Sequence, residues 1–240
     1  MNILITGGAS GLGRAMTERL AQNPEHKVYF TYSKSAEGAK SIETAFGNAV
    51  SMKCDFRNQE EVQNLATSMA GLDLDVLINN AYSGEPVKTY FHKMKSEDFL
   101  NDFQDNLLPT IQLSQAAITH FRKKKSGKLI TVLTSFLLNT PPTGTAAYVA
   151  GKAYLAQLNK AWASENAKFN VSANTISPSF MLTGLTKETD ERIIEQMVEG
   201  HPLKKLLTVE EVADTVAFMV AASGQMNGVD IVLNSATNLK

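Results

Sequence analysis

Short apolar runs rich in valine and isoleucine alternate along this chain with longer stretches in which apolar positions recur every three or four residues. The runs at 2–6, 27–32, 49–53, 75–79, 128–134, 171–176 and 228–233 predict strands. Helical periodicity fills 11–23, 35–46, 58–70, 97–124, 146–168 and 209–222, and 184–199 reads as a further helix flanked by loops. Strands that are apolar throughout are buried on both faces. The pattern therefore predicts an α/β fold, a doubly wound, mostly parallel sheet of seven strands with helices on both faces. No Pro/Gly/Ser-rich linker, shift of composition or repeat divides the chain, which reads as one domain over 1–240. The least regular stretches, 82–96, 136–145 and 177–205, follow strands, where a doubly wound fold places its ligands.

Composition narrows the function classes. Hydrophobic residues make up 43% and charged residues 20%, which suits a full apolar core and no disordered chain. A formal net charge of −1 supplies no field to gather nucleic acid or an anionic membrane, so neither is expected as a partner. The lone cysteine, Cys54, excludes an intramolecular disulfide and fits a reducing compartment. The first residues reach Gly7-Gly8 too early for a secretory leader, and no apolar run approaches the ~20 residues of a membrane helix. A soluble cytoplasmic protein is the expectation.

Two segments carry candidate chemistry. Thr6-Gly7-Gly8-Ala9-Ser10-Gly11-Leu12-Gly13 follows the first strand and opens a helix. Glycines there let the backbone turn tightly and approach a pyrophosphate, while the helix start offers N–H groups and the positive end of its dipole. A glycine turn alone also serves as a plain connection. The spacing Gly-x-x-x-Gly-x-Gly departs from the Gly-x-Gly-x-x-Gly of most dinucleotide folds. In the second segment, Tyr148 and Lys152 stand four residues apart on one helix face. A free phenol titrates near pH ~10, so acid–base work at neutral pH calls for a lowered value, which an ammonium nearby favours. Gly151 between them sacrifices ~1 kcal/mol of helix propensity against alanine, which implies close packing on that face. Such a pair also occurs on ordinary amphipathic surfaces.

Taken with Asn79-Asn80-Ala81 at the end of the fourth strand, Asn106 before Pro109, and Ser135 thirteen residues ahead of Tyr148, these segments resemble the short-chain dehydrogenases/reductases. The resemblance runs from Ile3 to about Leu233 and implies a Rossmann-type NAD(P) domain. It implies catalytic roles for Asn106, Ser135, Tyr148 and Lys152, with no metal. Ser135 and Tyr148 would hold the substrate oxygen, Tyr148 would exchange the proton, and Lys152 would support it through a water near Asn106. Cofactor contacts are implied for Gly7, Ser10, Gly11, Leu12, Gly13, Phe56, Asn80, Ala81, Tyr148, Lys152, Pro178, Met181 and Thr183, and for Asp55 toward the adenine amino group. Asp55 reads equally as a turn cap before Asn58. After the second strand, Ser33 and Lys34 stand where a carboxylate would select NAD, and no acid follows until Glu37; NADP(H) is favoured over NAD(H).

Within the family, Phe121–Ile130 and Pro202–Leu206 resemble the 3-oxoacyl-(acyl-carrier-protein) reductases. That likeness implies a small carbonyl or alcohol substrate, free or bound to a carrier protein, and a homodimer or homotetramer. Lys128 and Lys168 are candidate contacts for an acidic carrier, although a lysine run also ends a helix favourably. A substrate lid is expected at about 180–202, with Phe180, Met181, Leu185, Ile193, Ile194 and Met197 as its apolar face or as core. Tyr82 replaces a usual glycine, Phe136-Leu137-Leu138 adds bulk, Ser179 replaces a glycine, and Asn234-Ser235-Ala236 replaces Asp-Gly-Gly. A ketone, sugar or secondary alcohol as substrate stays open, as does a non-catalytic, cofactor-sensing relative; the complete set of four catalytic candidates favours an enzyme.

Overall fold

The computed structural model describes residues 1–138, 140–184, 186 and 189–237. Strands β1 (Asn2–Ile5), β2 (Lys27–Tyr32), β3 (Ala49–Lys53), β4 (Val76–Asn79), β5 (Gly127–Val132), β6 (Val171–Pro178) and β7 (Asp230–Leu233) form one sheet in the order β3-β2-β1-β4-β5-β6-β7. Among the described residues every pairing is parallel, and the expected mostly parallel sheet carries no antiparallel edge. Helices α1 (Gly11–Ala21), α2 (Ala36–Ala45) and α8 (Val209–Ala221) cover one face. Helices α3 (Gln59–Ser68), α5 (Leu108–Lys124) and α6 (Ala146–Asn166) cover the other.

Strand periodicity explains this double cover. Successive side chains leave opposite faces, so Ile3, Ile5, Val76, Ile78 and Ile130 pack with Met16, Ile42 and Val216. Leu4, Leu77 and Leu129 meet Leu113, Phe121 and Trp162 on the other side. Burying each such side chain contributes roughly 1.5–3 kcal/mol before entropy is counted. Strand order reverses where β1 lies beside β4, and this opens a crevice above the carboxyl ends of the strands.

One predicted helix is broken in the structure. Instead of a continuous 97–124, α4 (Ser96–Asp102) passes into a π-turn, Phe103–Leu107, before α5 begins. Pro109 has no N–H to give and its ring crowds the carbonyl four residues earlier, so the wider turn absorbs the mismatch. That turn buries Asn106. At the other end of α5 the left-handed residue is Lys125, with φ 54°. The helix expected at 184–199 is α7 (Glu191–Gly200), started by the Asp190 side chain accepting from the Arg192 N–H.

Candidate active site

A cleft of about 620 Å3 lies over the carboxyl ends of the strands, within the range of small-ligand sites. Its floor is the loop after β1. Gly7 adopts φ 67°, and a Cβ on Gly13 would stand 1.9 Å from the Gly7 carbonyl oxygen, so neither position accepts a side chain without rebuilding the turn. Asn80 ties this loop to β4, donating from Nδ2 to the carbonyls of Thr6 at 2.9 Å and Gly7 at 3.2 Å. Thr6 Oγ1 accepts the N–H groups of Asn80 and Ala81. Ser10 precedes α1 in an extended conformation with no side-chain cap, which leaves the helix start to an outside anion. This cradle, closed to any Cβ, fits a pyrophosphate.

Gly7, Ser10, Gly11, Leu12, Gly13, Asn80 and Ala81 all line the cleft, as do Pro178, Met181 and Thr183 on the opposite wall. Ser33, Lys34 and Phe56 line its far end. Asp55 does not line it. Its carboxylate accepts from the Arg57 backbone N–H at 3.0 Å and from the guanidinium at 2.9 and 3.2 Å. Arg57, together with the Ser33 hydroxyl, holds the Asp55 carboxyl below the usual carboxylate range. The turn-cap reading of Asp55 is therefore the one observed. Arg57 reaches the cleft wall instead, a cation that sequence reasoning missed. The signal was present, because parallel pairing of β2 and β3 brings 33–34 and 55–57 to the same edge.

At the chemical end Tyr148 and Lys152 line the cleft from α6. Lys152 is buried and donates to the Val132 carbonyl at 2.8 Å; its Nζ stands 5.8 Å from the centre of the Tyr148 ring. Burial lowers the ammonium to about 8, against the pull of the Asp102 charge. Tyr148 departs from expectation. Burial pushes its phenol up to about 12, the Thr134 hydroxyl pulls it down, and Asp102 raises it further. The site as built thus holds a protonated phenol.

Ser135 is corrected by its neighbour. Thr134 is the last extended residue after β5, with φ −159° and ψ 143°, and it lines the cleft. Ser135 opens a 3-10 turn, is only 2% exposed, and lines no part of the cleft. The chain turns at this point, and of the two it is Thr134 that lines the cleft and whose hydroxyl acts on Tyr148. Counting back from Tyr148 crosses the irregular 136–145; counting forward from β5 would have found Thr134.

Asn106 stands behind the pair. Its Oδ1 accepts from the Ser83 N–H at 2.5 Å, and its Nδ2 donates to Asp102 Oδ1 at 3.1 Å. Tyr82 lines the main cleft, with its ring edge-on to Tyr148 at 5.4 Å. Phe136, Phe180 and Met181 add apolar wall. Ile193, Ile194 and Met197 lie on α7, outside that wall, and Leu185 lies outside the described residues. The lysines expected to meet a carrier stand at the wrong end of the sheet. Lys128 is the second residue of β5 and caps α8 through the carbonyls of Val220 and Ala222, and Lys168 precedes β6 with its ammonium over Phe169.

A family model described as enoyl-(acyl carrier protein) reductase matches residues 7–235. The chain belongs to the short-chain dehydrogenases/reductases. It is accordingly an NAD(P)-dependent oxidoreductase of that family. It is 31% identical over 219 residues to the 3-oxoacyl-(acyl-carrier-protein) reductase FabG of Rickettsia prowazekii, covering 91% of this chain and 88% of that one. It is 29% identical over 222 residues to the reductase MabA of Mycobacterium tuberculosis, covering 92% and 85%. Among solved structures, a short-chain dehydrogenase/reductase family protein superposes with a TM-score of 0.85 at 26% identity, over 98% of this chain and 96% of the other. A Beutenbergia cavernae protein holding NADP at low occupancy shares the fold, with a TM-score of 0.89 at 24% identity over 98% and 96%. Among the described residues, no helix is long and apolar enough to cross a membrane.

Proposed function

We propose that this dehydrogenase/reductase reduces a carbonyl to an alcohol with NADPH, and that a 3-oxoacyl thioester is its substrate class. The observation that carries the reading is one cleft with the glycine cradle on its floor and Tyr148, Thr134 and Lys152 together at its chemical end. The dinucleotide supplies the hydride. Tyr148, protonated by virtue of its burial, donates the proton to the forming alkoxide as general acid. Thr134 gives a second hydrogen bond to the same oxygen, the role expected of Ser135. Lys152 restores the Tyr148 proton, and Asn106 holds the polar pocket behind it.

NADPH is preferred because Lys34, Ser33 and Arg57 gather at the adenosine end, where the Asp55 carboxylate is paired with Arg57. The 3-oxoacyl class is supported by the names of FabG and MabA and by the apolar wall of Tyr82, Phe136, Phe180 and Met181. Phe180 and Met181 act as the base of a lid over 180–202. Exposed Leu100, Phe103 and Tyr154 on α4, the π-turn and α6 suit burial between copies in a homodimer or homotetramer.

The test is NADPH oxidation against 3-oxoacyl thioesters, ketones, quinones and keto-sugars, with Tyr148→Phe as the blank. Consumption dependent on Tyr148 and fastest with the thioesters supports the reading. No Tyr148-dependent consumption with any carbonyl overturns it.

A further inference from the structure

Behind Tyr148 and Lys152 lies a second cavity of about 10 Å3, the room of one water. Asp102, the last residue of α4, faces it. Tyr82 donates to Asp102 Oδ1 at 2.6 Å, and Asn106 donates to the same oxygen at 3.1 Å. The other oxygen presses on α6, where a Cβ at Gly151 would meet Asp102 Oδ2 at 2.9 Å. The glycine between Tyr148 and Lys152 is thus explained, because it lets a carboxylate approach the helix that carries both. The cavity is lined by Asp102, Asn106, Thr110, Tyr148 and Lys152, with Leu107 and Leu155 on its apolar side.

We propose that Asp102, clamped by Tyr82, is a positioning residue of the proton path. It orients a water beside Lys152 and keeps the Lys152 ammonium charged. The inference rests on the proposed reduction. After the substrate oxygen takes the Tyr148 proton, the phenolate takes one from Lys152. The amine takes one from the water, and the water takes one from solvent. Each O–H or N–H bond broken is matched by one formed, and no electrons move beyond the hydride. A carboxylate beside that water favours entry of the proton as positive charge.

Three features make Tyr82–Asp102 more than packing. The Asp102 charge acts on both Tyr148 and Lys152. Burial raises the Tyr82 phenol beyond the titratable range, and the bond to Asp102 raises it further, so it remains a donor throughout. The Tyr82 ring also lines both the cleft and the cavity, with its centre 6.0 Å from Lys152 Nζ. Among the described residues, the titratable groups facing this cavity are Tyr82 from the segment after β4, Asp102 from α4, and Tyr148 and Lys152 from α6. The α5 side contributes only the Thr110 hydroxyl, β5 contributes the Val132 carbonyl, and Glu85 lines the main cleft.

The experiment compares kcat against pH, and NADPH affinity, for the wild type, Asp102→Asn, Tyr82→Phe and Tyr148→Phe. Loss of the Asp102 charge lowers the pH at which Lys152 gives up its proton. The alkaline limb of reduction should therefore move down by about one unit in Asp102→Asn and by less in Tyr82→Phe, with NADPH affinity changed less than about threefold. Tyr82→Phe removes one hydroxyl and keeps the test alive should Asp102→Asn fold poorly. Superimposable pH profiles in a folded Asp102→Asn, with Tyr148→Phe inactive, overturn this inference alone. Turnover surviving in Tyr148→Phe removes the acid and overturns both readings.

Discussion

Lys152 gives its hydrogen bond to the Val132 carbonyl at 2.8 Å while its Nζ stands 5.8 Å from the Tyr148 ring centre, so α6 and β5 jointly hold a buried ammonium beside the phenol. Burial lowers that ammonium from 10.5 to about 8. Below pH 8 the relay is charged and ready to give a proton. Carbonyl reduction should accordingly fall as pH rises through about 8, read as kcat in a pH series. The same depression makes Lys152 a burden on the fold. The unfolded chain keeps its proton up to 10.5, so stability rises between about 8 and 10.5, and the full penalty is present at neutral pH. Lys152→Met should abolish turnover yet raise the cofactor-free Tm at pH 7 by several degrees, with an upper bound of about 3 kcal/mol. A lower Tm at pH 7 would contradict this.

Thr134 lines the cleft and the adjacent Ser135 does not, which makes a paired substitution decisive. Thr134→Val should lower kcat by about 10²-fold, the weight of one donor to a developing oxyanion. Ser135→Ala should leave kcat close to the wild type. The reverse order would restore the assignment reached by counting back from Tyr148.

Cofactor choice rests on the cations at the far end of the cleft. Calorimetry should show NADPH binding more tightly than NADH, and Arg57→Gln should weaken NADPH by about tenfold, or ~1.4 kcal/mol. The effect on NADH should be smaller. Arg57 also neutralises Asp55, so its loss leaves a carboxylate near the added phosphate. Equal or tighter NADH binding in the wild type would sink the assignment.

The parallel sheet, its helix cover and the glycine turn were legible because periodicity and φ requirements are local properties of the chain. The π-turn was not, because Pro109 marks a break without showing whether the helix ends or widens. Ser135 was misplaced because residue counts do not fix direction across 136–145. Arg57 and Asp102 were missed for a different reason, since each gains its meaning from elements distant in sequence. Lys128 looked like a binding cation, and only three-dimensional packing shows it capping α8. The close packing implied by Gly151 was correct, but its partner, Asp102, was not foreseeable.

After β7 the chain holds Ser235 at φ 49° and Ala236 at φ 58°, where glycine would be unstrained. A left-handed conformation costs a non-glycine residue roughly 1–2 kcal/mol. Ala236→Gly should raise the midpoint of urea unfolding, by about 0.5–1 kcal/mol once the entropy of the unfolded glycine is deducted. A lowered midpoint would show that the Ala236 methyl contributes packing.

The most direct measurement is Tyr148→Phe, assayed for turnover on the best substrate and for NADPH affinity in the same preparation. The ring stays and the proton donor goes. Turnover should fall by about 10²–10⁴-fold with cofactor affinity nearly unchanged. Near-native turnover in the purified variant would contradict the account at its centre.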